Sequence, residues 1–363
     1  MNHSLTPAEL VALHRAVVTD PDFAGLPLEA LRPLPTTGLA HDHFRLGDSG
    51  WLIRAPKQSQ FGFGALDNLR YQAACFQRAS TSGHAPRFKR LIPPQSELPM
   101  GALVVEYIAG RAVRMPEELR MLAPALTTFH SLPLPLAEHR PPLLDGSDAV
   151  AAELRTIRAQ AKFLPDANLH PDSQAQFAEE MWWAKRFAAE SADLRQPCRL
   201  IATDAHPGNW LIRTDGRAML ADWEKGQYSS PAVDLAHASL YTSTTWDVVA
   251  AGAPTLAMIA DFYQTWLDHA EPRLAAAVRP WLLPLRRLVW LRAITWCAKW
   301  RVASQRARQT EKRTAASVED WSADNSDAAL VAHVKNRVDH YLDPAVMSEV
   351  RREWAADSPL HDL

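Results

Sequence analysis

Residues 198–223 constrain the fold of this chain more than any other stretch. Three short apolar runs, CRLIATD, NWLIR and AMLADW, follow one another there, while the segments on both sides show helical spacing. Runs this short, bounded by Pro207–Gly208 and Asp215–Gly216, read as strands. The Asp-Gly pair marks a hairpin, because a tight two-residue turn demands positive φ. The loop between the first two runs carries Asp204, His206 and Asn209. It has three readings: a polar turn, a metal site built on Asp204 and His206, or a loop for phosphoryl transfer. The metal reading lacks a second histidine or cysteine at ligand spacing, which leaves His206 as a hydrogen-bonding residue of the loop.

Phosphoryl transfer needs a carboxylate to receive the proton of an attacking hydroxyl, and oxygen ligands for Mg²⁺ on the phosphates. The spacing from Asp204 to Asn209 is D-x-x-x-x-N, the form of a kinase catalytic loop. A second metal-binding aspartate is expected across a short hairpin, and Asp222 stands there. The two strand ends would bring Asn209 and Asp222 side by side.

The rest of the chain divides around this hairpin. Residues 5–17 have helical spacing behind Thr6-Pro7, and 31–56 hold short alternating segments with a GDSG turn. A helix is expected over 66–79 and a strand over 102–108. Helical spacing then runs through 116–131, 148–162 and 172–194, and resumes from 232 to the end. A solvated charged stretch is expected at 304–313. The class is α+β: a β-rich lobe over 1–105 and a larger, mostly helical lobe over 106–363.

Charge and cysteine content narrow the partners. Lysine and arginine (39) nearly balance aspartate and glutamate (41), so no global field points to nucleic acid. Three separated cysteines give no disulfide or zinc framework. No uncharged apolar stretch suits a membrane span, and residues 1–20 do not resemble a secretory leader, so the expectation is a cytoplasmic protein. The choice between monomer and homodimer stays open.

TDAHPGNWLI followed by LADWEKGQYSSPAVDLA resembles the aminoglycoside phosphotransferase and choline kinase superfamily. The upstream order is similar too: TTGLAHDHFRL for a nucleotide loop, WLIRAP for the strand with a phosphate-binding base, LVVEYIAGRAV for the hinge. The resemblance covers roughly residues 30–245 and implies a two-lobed, protein-kinase-like fold. By the same resemblance, Asp204 is the catalytic base, Asn209 and Asp222 are the magnesium ligands, and Asp234 is a buried support. Arg54 is the phosphate clamp, and the Glu106 carbonyl and Ile108 amide meet the adenine edge. The implied activity is transfer of a phosphoryl group from ATP or GTP, with Mg²⁺, to a hydroxyl of a small molecule.

Three positions depart from the pattern. Ala202 replaces a bracing histidine, and Gln72 replaces the helix glutamate that pairs with the strand base, with Lys57 as a possible substitute. The nucleotide loop has Gly38 alone in place of a glycine-rich run. Ala202 and Gln72 motivate the alternative of a nucleotide-binding pseudokinase acting as an interaction scaffold. For the acceptor, Trp296 and Trp300 lie one helical turn apart, with Trp290 pointing elsewhere. They read as packing of the C-terminal helices or as an aromatic wall for a cationic amine. The second reading favours amino alcohols such as choline, with aminoglycosides or amino sugars beside them. Glu224 faces either a substrate or a neighbouring helix.

Overall fold

The computed structural model describes residues 5–34, 40–309 and 328–363. Gly38 and part of the charged stretch at 304–313 lie outside the described residues.

The N-terminal lobe opens with α1 (Pro7–Val17), started by a Thr6–Glu9 capping box. Strands β1 (Leu31–Pro33), β2 (His41–Leu46) and β3 (Trp51–Pro56) lead to helix α2 (Ala65–Ala79). Strands β4 (Phe88–Ile92) and β5 (Ala102–Glu106) complete a five-stranded antiparallel sheet of order β1-β2-β3-β5-β4. The centre of this sheet is buried on both faces, which explains the unbroken apolar run of β5. Ala102 and Val104 face a core shared with α1, whereas Leu103 and Val105 join the core shared with α2 and the helical lobe. Alternation along one strand thus ties both layers to a single element.

After β5 the chain crosses to the helical lobe through β6 (Gly110–Ala112), α3 (Leu119–His130), α4 (Ala149–Ala161) and α5 (Pro171–Glu190). Next come β7 (Arg199–Ile201), β8 (Trp210–Arg213), β9 (Ala218–Leu220) and β10 (Gln227–Ser229). Helices α6 (Pro231–Ser239), α7 (Tyr241–Thr244), α8 (Leu256–His269), α9 (Pro272–Val278) and α10 (Leu282–Gln309) follow. The chain closes with α11 (Ala328–Tyr341) and α12 (Pro344–Arg351). Helix α10 is the spine of this lobe, packed along α4 and α6. Its fully buried Arg286 is matched by Glu353 near the C-terminus and by Ser239 and Tyr263. The terminal segment is thereby fastened to the core.

The fold is α+β with two lobes, as the sequence implied. The expected Asp-Gly hairpin pairs β8 with β9, and two further pairings do not follow chain order. β7 does not pair with β8; its partner is β10, antiparallel, with Leu200 opposite Tyr228. β8 instead lies between β6 and β9. Gly110 permits that pairing, because a Cβ there would stand 2.8 Å from the Ile212 carbonyl oxygen. The polypeptide leaving the sheet lobe is therefore stitched directly to the hairpin that bears Asn209.

Candidate active site

The loop from β7 to β8 is bent by Thr203, whose φ of 67° is uncommon for a β-branched residue. Asp234, in the first turn of α6, holds that bend. One carboxylate oxygen accepts the Ala202 amide at 2.8 Å and the other accepts the Thr203 amide at 2.7 Å. His130, the last residue of α3, places Nε2 3.3 Å from the same carboxylate, while its Nδ1 accepts the Trp266 indole N–H at 3.0 Å. That second bond sets the tautomer, so Nε2 carries the proton toward Asp234. A brace therefore reaches the loop from a helix in place of a histidine at position 202.

Asp234 and His130 are fully buried, and removing the carboxylate leaves two amides unpaired beside a strained residue. Asp234→Ala is expected to lower unfolding free energy by about 3–5 kcal/mol, read from urea denaturation. An unchanged midpoint would show that the loop holds its bend by other means.

Beyond the bend the loop is ordered by its own side chains. His206 Nδ1 accepts the Gly208 amide at 3.1 Å. Gly208 has no room for a side chain: a Cβ would meet His206 at 2.7 Å and the Asp247 carboxylate at 2.9 Å. The Asn209 Nδ2 group donates to the Asp204 carbonyl at 2.8 Å, so its Oδ1 is the atom it presents. The Ala221 amide donates to the Asn209 carbonyl at 2.9 Å, and Trp210 pairs with Leu220 across the hairpin. Asn209 and Asp222 are thus brought side by side. Asp222 Oδ1 accepts from Arg54 at 2.8 Å and from the Glu224 amide at 3.1 Å. Among the described residues, Asp222 Oδ2 and Asn209 Oδ1 have no protein partner.

Asp204 is surrounded by positive or protonatable groups. Lys225 Nζ donates to its Oδ2 at 2.7 Å, and His237 Nδ1 stands 3.7 Å from Oδ1. The His206 and His237 rings are 6.2 Å apart at nearly right angles. Burial alone would push the Asp204 carboxyl up; Lys225, His206 and His237 outweigh it and hold the group well below the usual carboxylate range. Burial pushes His237 down to about 3, so it stands neutral beside the carboxylate.

Arg54 extends from β3 into the space between the lobes, buried to 4% exposure. It does not pair with Gln72 directly. Gln72 Oε1 lies 3.1 Å from His41 Nε2, and His41 Nδ1 accepts from Arg54 at 3.4 Å. Helix α2 therefore steadies Arg54 through an imidazole. Burial and the Arg54 charge push His41 well down, so it remains a neutral relay. Lys57 takes no share, since it pairs with Asp42 at 3.0 Å. Glu224 faces inward, its Oε2 3.6 Å from His41 and without a hydrogen-bond partner. Burial, then the Asp222 charge, pushes its carboxyl up to about 8. The contact between Glu224 and His41 is thus one of two neutral groups.

His41, Asp222 and Glu224 bring three ligand atoms within 4.8 Å of one another. The cation among them is the Arg54 guanidinium, 2.8 Å from Asp222 and 3.4 Å from His41. At the lobe crossing, the Glu106 amide donates to Arg87 and the Tyr107 amide to Gly50, each carbonyl lying outside the sheet's strands. The Glu106 carboxylate is held by Arg87, and Ile108 is buried.

Sequence reasoning missed His41, His130, His237 and Lys225. The first three act across long sequence separations. Lys225 lies inside the DWEKG motif itself, and its charge beside Asp222 was the available signal.

A β-rich lobe, a hinge and a braced D-x-x-x-x-N loop facing a hairpin aspartate define a protein-kinase-like architecture. The profile of the phosphotransferase enzyme family matches residues 38–281, and the chain belongs to that family. Among solved structures it is similar to a choline kinase from Cryptosporidium parvum, with 12% identity, a TM-score of 0.59 and coverage of 97% of this chain and 99% of that one. It is also similar to a choline/ethanolamine kinase family protein from Mesorhizobium loti, with 16% identity, a TM-score of 0.54 and coverage of 95% and 99%. A third likeness is to wild-type aminoglycoside 2'-phosphotransferase-IIIa as its GDP complex, with 15% identity, a TM-score of 0.52 and coverage of 90% and 98%. At these identities the likeness is one of fold. No curated protein matches the chain. No helix among the described residues is long and apolar enough to cross a membrane.

Proposed function

We propose that this chain transfers the γ-phosphoryl group of ATP or GTP to a hydroxyl of a small molecule. The observation that carries this reading is the convergence of Asp204, Asn209 and Asp222 at the two ends of one braced hairpin. Asp204 orients the acceptor hydroxyl and receives its proton; Arg54 steadies the phosphates through its planar fork. The nucleotide lies between the lobe of residues 1–105 and that of residues 106–363, its adenine edge read by the Glu106 carbonyl and the Ile108 amide.

The donor set suits a hard divalent cation. Asn209 Oδ1 and Asp222 Oδ2 are oxygens without protein partners among the described residues, on segments joined across the hairpin, and Mg²⁺ takes one or two such ligands beside phosphate oxygens. Bound there, the ion would neutralise charge on the phosphates.

For the acceptor, the aromatic wall of Trp296 and Trp300 loses Trp300, and Trp290 stands apart from it as expected. Trp290 and Trp300 are buried, at 1% and 2% exposure. Trp296 is half-buried and meets Trp246 edge-on at 5.7 Å. That pair remains a surface for an amino alcohol or an amino sugar. The test is product formation from ATP and from GTP across amino alcohols, aminoglycosides, sugars and nucleosides. One acceptor class is expected to raise magnesium-dependent turnover by roughly 10²-fold or more over the acceptor-free rate. Nucleotide binding with no turnover on any acceptor would favour the scaffold reading.

A further inference from the structure

Lys225 is the group the mechanism above does not use. Its ammonium carries three donors, and among the described residues only Asp204 Oδ2 receives one of them. The side chain is one-third exposed, so it is not sealed within the core. The backbone beneath it is fixed. The Gly226 carbonyl accepts from Tyr71 Oη at 2.7 Å and from Cys75 Sγ at 3.4 Å, both on α2. Gly226 also packs so closely that a Cβ would touch Cys75 Sγ at 3.2 Å. Burial would push the ammonium toward its neutral form, and the Asp204 carboxylate outweighs burial and holds it charged. Its ammonium contacts the base, and its backbone follows Asp222 by three residues, so the side chain links Asp204 to the segment that carries the aspartate proposed for the metal.

We propose that Lys225 is a further catalytic residue, whose ammonium fixes the Asp204 carboxylate in the resting site and binds an oxygen of the phosphoryl group during transfer. The proposal rests on the transfer reading above. In the step, the acceptor oxygen bonds to the γ-phosphorus. The bond from that phosphorus to the β–γ bridging oxygen breaks, its electron pair leaving with the nucleoside diphosphate. The acceptor proton passes to Asp204. Lys225 stays protonated throughout and offers its free N–H groups to the equatorial oxygens, where charge is spread in the transition state.

The test is a double-mutant cycle between Lys225→Met and Asp204→Asn, read by single-turnover transfer of radiolabelled phosphoryl. Lys225→Met alone is expected to lower the rate about 10²–10³-fold, leaving acceptor KM and the Mg·ATP melting shift unchanged. Lys225→Arg should recover a tenth or more of the wild-type rate. In the Asp204→Asn background, Lys225→Met should cost roughly tenfold more, since a phosphoryl contact survives loss of the carboxylate. No added cost there would mean that Lys225 acts only by holding Asp204, and the proposal falls. A raised acceptor KM at unchanged kcat would make it an acceptor-binding residue and also overturn it. A near-normal rate in Asp204→Asn alone strikes the assigned base rather than Lys225. Absence of transfer by the wild type to every acceptor overturns both readings.

Discussion

Asp204→Asn is expected to lower kcat by about 10²–10⁴-fold, the range associated with removing a positioned general base. The substitution keeps the shape of the side chain and one carbonyl oxygen, so the loop is expected to hold its course. Its bend depends on Asp234 and the His206–Gly208 bond, and neither involves the Asp204 carboxylate. Asn209 also keeps its place, because it binds the Asp204 backbone carbonyl. What is lost is the acceptor for a hydroxyl proton and the partner of Lys225. That ion pair is partly open to solvent, with side chains 33% and 22% exposed, and such a pair contributes at most about 1 kcal/mol. The unfolding midpoint should therefore stay close to wild type while turnover collapses. Near-normal turnover on the acceptor identified by the screen would remove Asp204 as the base. A large drop in melting temperature would mean that its role is architectural.

The candidate site was legible in the sequence where its geometry is local. Asp204, Asn209 and Asp222 sit on one strand–loop–hairpin unit, so spacing and the Asp-Gly turn were enough to bring them together. The β-rich lobe was legible for the same reason, because GDSG and alternating apolar residues specify neighbouring strands. The supports were not legible, since each depends on packing between distant segments. His130 and Asp234 are 104 residues apart, and Gln72 reaches Arg54 only through His41, 31 residues away. Pairing of β7 with β10 is hidden similarly: nothing in the three apolar runs marks the Thr203 bend that separates the first from the other two. The departures at Ala202 and Gln72 read as losses in the sequence. In the structure, His130 braces the loop and His41 carries the tether to Arg54, so neither position leaves a gap.

Asp222→Ala should abolish the magnesium-dependent stabilisation by nucleotide. A wild-type enzyme at Mg·ATP one hundred times its Kd gains about 2.7 kcal/mol by mass action, and the variant is expected to gain close to none. Turnover should fall at least roughly 10²–10³-fold, because charge on the phosphates is no longer balanced. The apo protein should respond as well. Arg54 is buried, its Nε already lacks a partner, and among the described residues Asp222 is the one carboxylate paired with it. Removing that partner strands a guanidinium and is expected to cost about 1–3 kcal/mol of unfolding free energy. A variant that merely damages the fold would lose the same stability yet keep a Mg·ATP shift. A variant that loses the ligand keeps whatever response ATP gives without magnesium, since Arg54 is now free for phosphate oxygens. Melting curves with ATP, with and without Mg²⁺, therefore separate the two, and an unaltered Mg·ATP shift in Asp222→Ala would refute the metal assignment.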